Sequence, residues 1–297
     1  YPLQPPTTTA TTMGHHFVPI YYLSGFTRDG RRWVYDKATR KAFKSQPEAI
    51  ANERNLYTEE LEGLLNNSIE QPANRVLERI RRRQSLSADD REALTVYIVT
   101  LWKRGPIGRA RVMEKIPDTV KEITDDLEKE IHELKGREML TNERYFNLLS
   151  QTANARQKLM ANPPIETWWG LLEPSTSRNV VDALLNMNWA FLIDPRGEVL
   201  TSDNPVYFFP WAGLSRPESE LIFPIDQYTA MLATNESFPT ATYFNGNGVA
   251  LREINRRTMT NTNRHLITSQ PLDWIPKLIA NGDGPRRWLR VLGKPAM

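Results

Sequence analysis

Trp189-Ala190-Phe191-Leu192-Ile193-Asp194-Pro195-Arg196-Gly197-Glu198-Val199-Leu200-Thr201-Ser202-Asp203-Asn204-Pro205 is the stretch whose reading decides the fold. Residues 189–194 and 198–202 read as two strands joined by the turn Asp194-Pro195-Arg196-Gly197, because short apolar runs bounded by Asp, Pro and Gly have strand length rather than helix length. The stretch closes on Ser202-Asp203-Asn204-Pro205, a natural turn in which Asp and Asn side chains bond nearby amides and Pro constrains its neighbours. Downstream, residues 221–225, 228–233 and 266–269 are further strand-like runs, and Asn245-Gly246-Asn247-Gly248 precedes a helix over 249–261. One helix, carrying Val180, Val181, Leu184 and Leu185, comes before them.

Upstream the period changes. Thr58, Glu59 and Glu60 open a helix that Pro72 interrupts, and Ser87-Ala88-Asp89-Asp90 caps another that Gly105-Pro106 stops. After Pro117, Val120, Ile123, Leu127, Ile131 and Leu134 recur at helical spacing until Gly136, and one more helical stretch ends at Asn162-Pro163-Pro164. Nearer the start, Arg32-Trp33-Val34-Tyr35-Asp36 and residues 41–45 read as a β-hairpin, and Ser45-Gln46-Pro47-Glu48 has capping-box spacing for a short helix to Arg54. The pattern predicts an α+β fold: an N-terminal β-hairpin and mostly antiparallel C-terminal strands forming a sheet, with a large helical middle region packed on it. The expected layout is a single domain over 14–275, with a hairpin region at 14–57, a helical region at 58–161 and a strand-rich region at 162–275. Residues 1–13 and 276–297 are read as tails, with Met13 a candidate start.

Among 297 residues there is no cysteine, which rules out a disulfide scaffold, a cysteine nucleophile, a thiolate zinc site and a cysteine-ligated iron–sulfur cluster. No apolar run approaches the roughly 18 residues of a membrane span, and a cytoplasmic location is expected. The net charge of +3 (38 − 35) hides local blocks. Residues 75–115 hold 11 basic and 5 acidic side chains, and residues 116–143 hold 4 and 9. Such blocks form solvated helix faces or a phosphate-binding surface.

His15-His16-Phe17-Val18-Pro19, Tyr22-Leu23, Phe26, Trp33-Val34-Tyr35-Asp36, Thr201-Ser202-Asp203-Asn204-Pro205-Val206 and Phe223-Pro224, in that order, resemble the signature of the family catalogued as domain of unknown function 4238. The resemblance runs from about His15 to Ser269, and it implies no established activity.

Chemistry ranks the positions the motifs nominate. His15 and His16 point to opposite faces of an extended segment, so one can serve a site while the other packs. Asp203, at a strand end, is a candidate general base or metal ligand, with Asn204 as its orienter and Ser202 as a hydroxyl ligand. His16, Asp203, Asp36 and Glu70 would offer nitrogen and oxygen to Mg²⁺ or Mn²⁺. His-His-x-x-Pro also echoes the first motif of His-Asn-His nucleases, although the later elements of that motif are missing, and no Gly-x-Ser-x-Gly elbow or glycine-rich phosphate loop is present. Arg81, Arg82, Arg83, Arg104, Arg109, Arg256 and Arg257 are candidate nucleic-acid contacts. Two functions are expected from this: a metal-assisted phosphodiesterase or nuclease-like protein, with a role in bacterial defence, or a non-catalytic interaction protein that binds a protein or nucleic-acid partner through basic surfaces.

Overall fold

A computed structural model describes residues 14–54, 56–208, 213–237 and 242–282. The expected tail over 1–13 lies outside them. The stretch after Asn188 does not form the expected hairpin. Its two strands, β5 (Asn188–Ile193) and β6 (Thr201–Ser202), belong to different sheets. The reason lies in the turn between them. The fully buried Asp194 carboxylate accepts hydrogen bonds from the amides of Arg196 and Glu198, and the Val199 amide donates to the Gln227 carbonyl. These bonds lead the chain out of one sheet and into the next, where a two-residue hairpin turn would have folded it back.

The larger sheet has the order β10-β5-β9-β8-β7, with β7 at Tyr207–Phe208, β8 at Glu220–Asp226, β9 at Thr229–Thr234 and β10 at Tyr243–Asn245. All its pairings are antiparallel except that of β10 with β5. The second sheet pairs strands from early and late in the chain. Its order is β3-β2-β11-β6, with the hairpin β2 (Arg32–Asp36) and β3 (Lys41–Ser45) as expected, and β11 (His265–Thr268) set so that Ile267 faces Val34. A third pair joins β1 (Gly14–His16) to β4 (Asn52–Arg54). Strand β4 stands where a short helix was expected. Ser45 donates its hydroxyl to the Gln46 carbonyl instead of capping a helix, and only a 3₁₀ turn, Pro47–Ala49, forms.

Helix α1 spans Ile20–Ser24. Helix α2 (Glu59–Leu64), capped by Thr58, runs through a π-helical turn into α3 (Gln71–Arg81), so Pro72 does not interrupt it. Proline sits in the first turn of α3, beside the wide turn, where its missing N–H costs little. Then come α4 (Ala88–Arg104), α5 (Pro106–Gly136, passing through Pro117), α6 (Asn142–Ala161), α7 (Ile165–Leu171), α8 (Arg178–Asn186), α9 (Gly248–Asn261) and α10 (Ile275–Asn281). Helix α10 occupies residues where a tail was expected, because Ile275 is buried with Tyr35, Leu200, Met259, Leu266 and Leu272.

The chain forms two compact units. The first takes the described residues up to Trp102 and those from Asn179 onward, and contains all three sheets. The second, Lys103–Arg178, is helical. Helices and largely antiparallel sheets together make an α+β protein. Among the described residues no helix is long and apolar enough to cross a membrane.

Candidate functional site

The Thr201–Pro205 motif is a clamp on the backbone. Asp203, only 2% exposed, accepts from the amides of Asn263, Arg264 and His265 at 3.0, 2.9 and 3.0 Å. Asn204 and Asn261 each donate a side-chain amide to the other's carbonyl, at 2.8 and 2.7 Å. The loop between α9 and β11 is thereby fixed on β6. Asp36 holds the same loop from the other side. It accepts from the Ala38 and Thr39 amides at 2.9 and 3.0 Å and from Arg264 Nε at 2.8 Å. Lys37 completes the cluster, donating to the Met259 and Thr262 carbonyls at 3.1 and 2.7 Å. The two acids respond differently to their surroundings. Burial pushes the Asp203 carboxyl up, against the pull of three amides and His265, whereas the Thr39 amide, with Arg264 and Ala38, holds Asp36 below its usual value despite burial. His265, 3.8 Å from Asp36, is depressed by burial. The sequence reading missed Lys37, Arg264 and His265, whose convergence depends on the pairing of β2 with β11.

His15 and His16 lie on β1, in a different sheet from Asp203. The buried His15 ring accepts from the Tyr57 amide at 3.3 Å and packs on the Tyr57 ring at 5.8 Å between centroids. Glu70 ends the π-helical turn before α3. Among the described residues no three His, Asp or Glu side chains come together to hold a metal ion. The residues His16, Asp36, Glu70 and Asp203 are not gathered into one set of ligands, and both Asp203 oxygens face backbone amides.

The nominated arginines have different fates. Arg257 is fully buried, 3.0 Å from Glu253 and 2.6 Å from Glu220. Arg104 is 2% exposed, and Arg109 lies over the Trp168 ring at 5.6 Å. Arg81 is half-buried, 4.0 Å from Asp226 and over the Tyr21 ring at 5.2 Å. A Cβ at position 25 would lie 2.6 Å from its Nη2 and 3.1 Å from the Ile225 carbonyl oxygen, so a larger residue there would displace the guanidinium. Arg82 pairs with Glu78 on the surface, and Arg83 is exposed at the end of α3. Arg256 alone of the seven reaches a cavity among those described.

That cavity, about 380 Å³, lies between α9, α10 and the turn after β5. The α9 cap is Asn247, whose side chain accepts from the Val249 and Ala250 amides at 3.0 and 2.9 Å. Leu251, Ile254, Asn255, Thr258 and Met259 are buried, so Arg252 and Arg256, four apart, share the other face. Asn255 pins the helix, accepting from the Leu200 amide at 3.0 Å and donating to the Glu198 carbonyl at 2.8 Å. Lys277 and Trp274 enter from α10, and Arg196 from the turn, where its Nε is 3.2 Å from Asp194. Arg196, Arg252, Arg256 and Lys277 thus surround the cavity with one lining acid, Glu198, which pairs with Arg196 at 3.3 Å, while Arg256 pairs with the buried Glu253 beneath. Trp274, Leu251 and Leu278 give it an apolar wall. Such a site attracts an anion that carries a flat apolar group.

The fold and this cleft define an α+β protein with an internally clamped motif and a basic, tryptophan-walled surface site. A family model described as protein of unknown function (DUF4238) matches residues 14–271, and the chain belongs to that family. No curated protein matches the chain, and no solved structure does.

Proposed function

We propose that the chain is a binding protein whose partner is a nucleic acid, held by its phosphates in the cleft between α9 and α10. The observation that carries this reading is the convergence of Arg196, Arg252, Arg256 and Lys277 on one cavity with Trp274 in its wall. Cations for the backbone and an aromatic face for a base are the two elements of single-strand recognition. The phosphodiesterase reading draws no support from the placement of its nominees. Its histidines and Asp203 stand on separate sheets, and the Asp203 and Asp36 oxygens are committed to amides and Arg264.

The test is fluorescence anisotropy with a labelled oligothymidylate of about twenty nucleotides. The wild type binds, and binding weakens between about 50 and about 200 mM salt. Arg252→Ala with Arg256→Ala lowers affinity at least about tenfold, the equivalent of roughly 1.4 kcal/mol. Binding that ignores both arginines, or no binding at all, overturns the proposal.

A further inference from the structure

The turn Arg28-Asp29-Gly30-Arg31 sets two cations side by side. Asp29 and Gly30 take φ of 53° and 71°, the left-handed pair that a type I′ connection requires. Arg28 and Arg31 exchange both backbone hydrogen bonds, at 2.8 and 3.0 Å. Residues paired this way stand directly opposite each other with their side chains on one face, about 5.5 Å apart at Cα. Like charges in that position repel, and among the described residues neither guanidinium has an ion-pair partner. Both line a cavity of about 240 Å³ with Lys44, Trp33, Ser269 and Gln270; Asp29 is the only acid in the lining. Lys44 Nζ lies 5.5 Å over the Trp33 ring, so the third cation is held toward the same space. An arrangement that costs the empty fold electrostatic energy is relieved by an anion seated between the arginines.

This cavity adjoins the first one. Gln270, in its lining, donates Nε2 to the carbonyls of Arg196 and Gly197 at 3.1 and 3.3 Å, and Arg196 lines the α9–α10 cleft. Trp33 and Trp274 pack against the same buried cluster. We propose that the cleft at 28–31 is a second phosphate subsite, and that one single-stranded nucleic acid occupies both clefts. The proposal rests on the reading of the α9–α10 cleft as a phosphate site. Two small neighbouring sites of the same charge suit a repeated anion better than a single compact one.

The experiment repeats the oligothymidylate titration with Arg28→Gln and Arg31→Gln together. Affinity falls about tenfold at low salt, and the slope of log K against log salt flattens by about 1.4, two contacts at about 0.7 each on a single strand. Without ligand, the same variant melts at or above the wild-type temperature, because a repelling pair has been removed and the turn keeps Asp29-Gly30. If this variant binds like wild type while the Arg252/Arg256 variant does not, the second subsite is refuted and the first reading stands. If wild type does not bind the oligonucleotide, both fail. A polyglutamate chain that binds as tightly, and with the same dependence on all four arginines, also overturns the proposal, because the surface then recognises an acidic protein.

Discussion

Asp203 and Asp36 on one side, and Arg28, Arg31, Arg252 and Arg256 on the other, are two groups of charge in the first unit, and they are treated in different ways. The acids are buried, and their oxygens meet amides or Arg264. Arg28, Arg31 and Arg252 are exposed, Arg256 is half-buried and pairs with Glu253, and all four line cavities. A buried polar group with every partner satisfied fixes a loop. A cluster of like charge at the surface adds nothing to the fold and retains its capacity to bind. The motif that looks most like chemistry in the sequence therefore holds the backbone, and Arg28, Arg31 and Arg252 stay exposed.

The sharpest way to break the comparison is Asp203→Ala. Three amides lose their acceptor, and stability falls by about 3–5 kcal/mol, read as a shift in urea midpoint. Arg252→Ala changes stability by less than about 0.5 kcal/mol in the same assay. If the two variants behave alike, the distinction between clamp and surface is wrong. Arg32 sharpens it further. Its guanidinium is fully buried with no hydrogen-bond partner among the described residues, and burial lowers its pKa to about 10 against the pull of Glu48. Arg32→Met gains about 1–3 kcal/mol, because a buried charge without hydrogen bonds is removed at similar volume; a loss of stability would show that the attraction of Glu48 outweighs the cost of burial. The smallest effect concerns pH. Burial holds His265 below its ordinary 6.5, so on acidification the unfolded chain takes up the proton first. Its contribution is full above pH 6.5 and is lost as pH falls through the folded value. Around it stand Asp36, Asp203 and Arg264, with the Phe43 ring edge-on. His265→Gln should reduce the loss of stability between neutral pH and about pH 5, measured by urea titration at each pH; an unchanged profile would remove His265 from the clamp.

Much of the fold was legible in local patterns. The β2–β3 hairpin, the helix starts at Thr58 and Ser87, and the break at Gly105-Pro106 are decided within a few residues, and each formed as read. The misread elements depend on partners far along the chain. Strands β5 and β6 part because Gln227 captures the Val199 amide, and β4 forms because β1 is available to pair with it. Pro72 was read as a break and the helical pattern was read only after Pro117, yet a π-helical turn precedes the one and a long helix carries the other. At the candidate site, Arg256 was visible as a candidate contact on a helix. Arg196, Trp274 and Lys277 were not, because nothing local says that a turn after β5 and a helix in an expected tail meet there. Burial likewise decides between the adjacent Arg256 and Arg257, and only the pairing with Glu220 shows it.

The pairing of β2 with β11 sets a delay on synthesis. Asp36 and Arg264 are 228 residues apart, so at about 5–20 residues per second the hairpin leaves the ribosome on the order of 10–50 s before its partner strand exists. During that interval the edge that will receive β11 is open to other chains. Strand β3 covers the other edge of β2 and exposes Lys41 and Lys44, charges that discourage strand addition on that side. The unguarded side of β2 is where a holding chaperone would act on the nascent chain, and truncated chains ending before His265 should be the ones that aggregate.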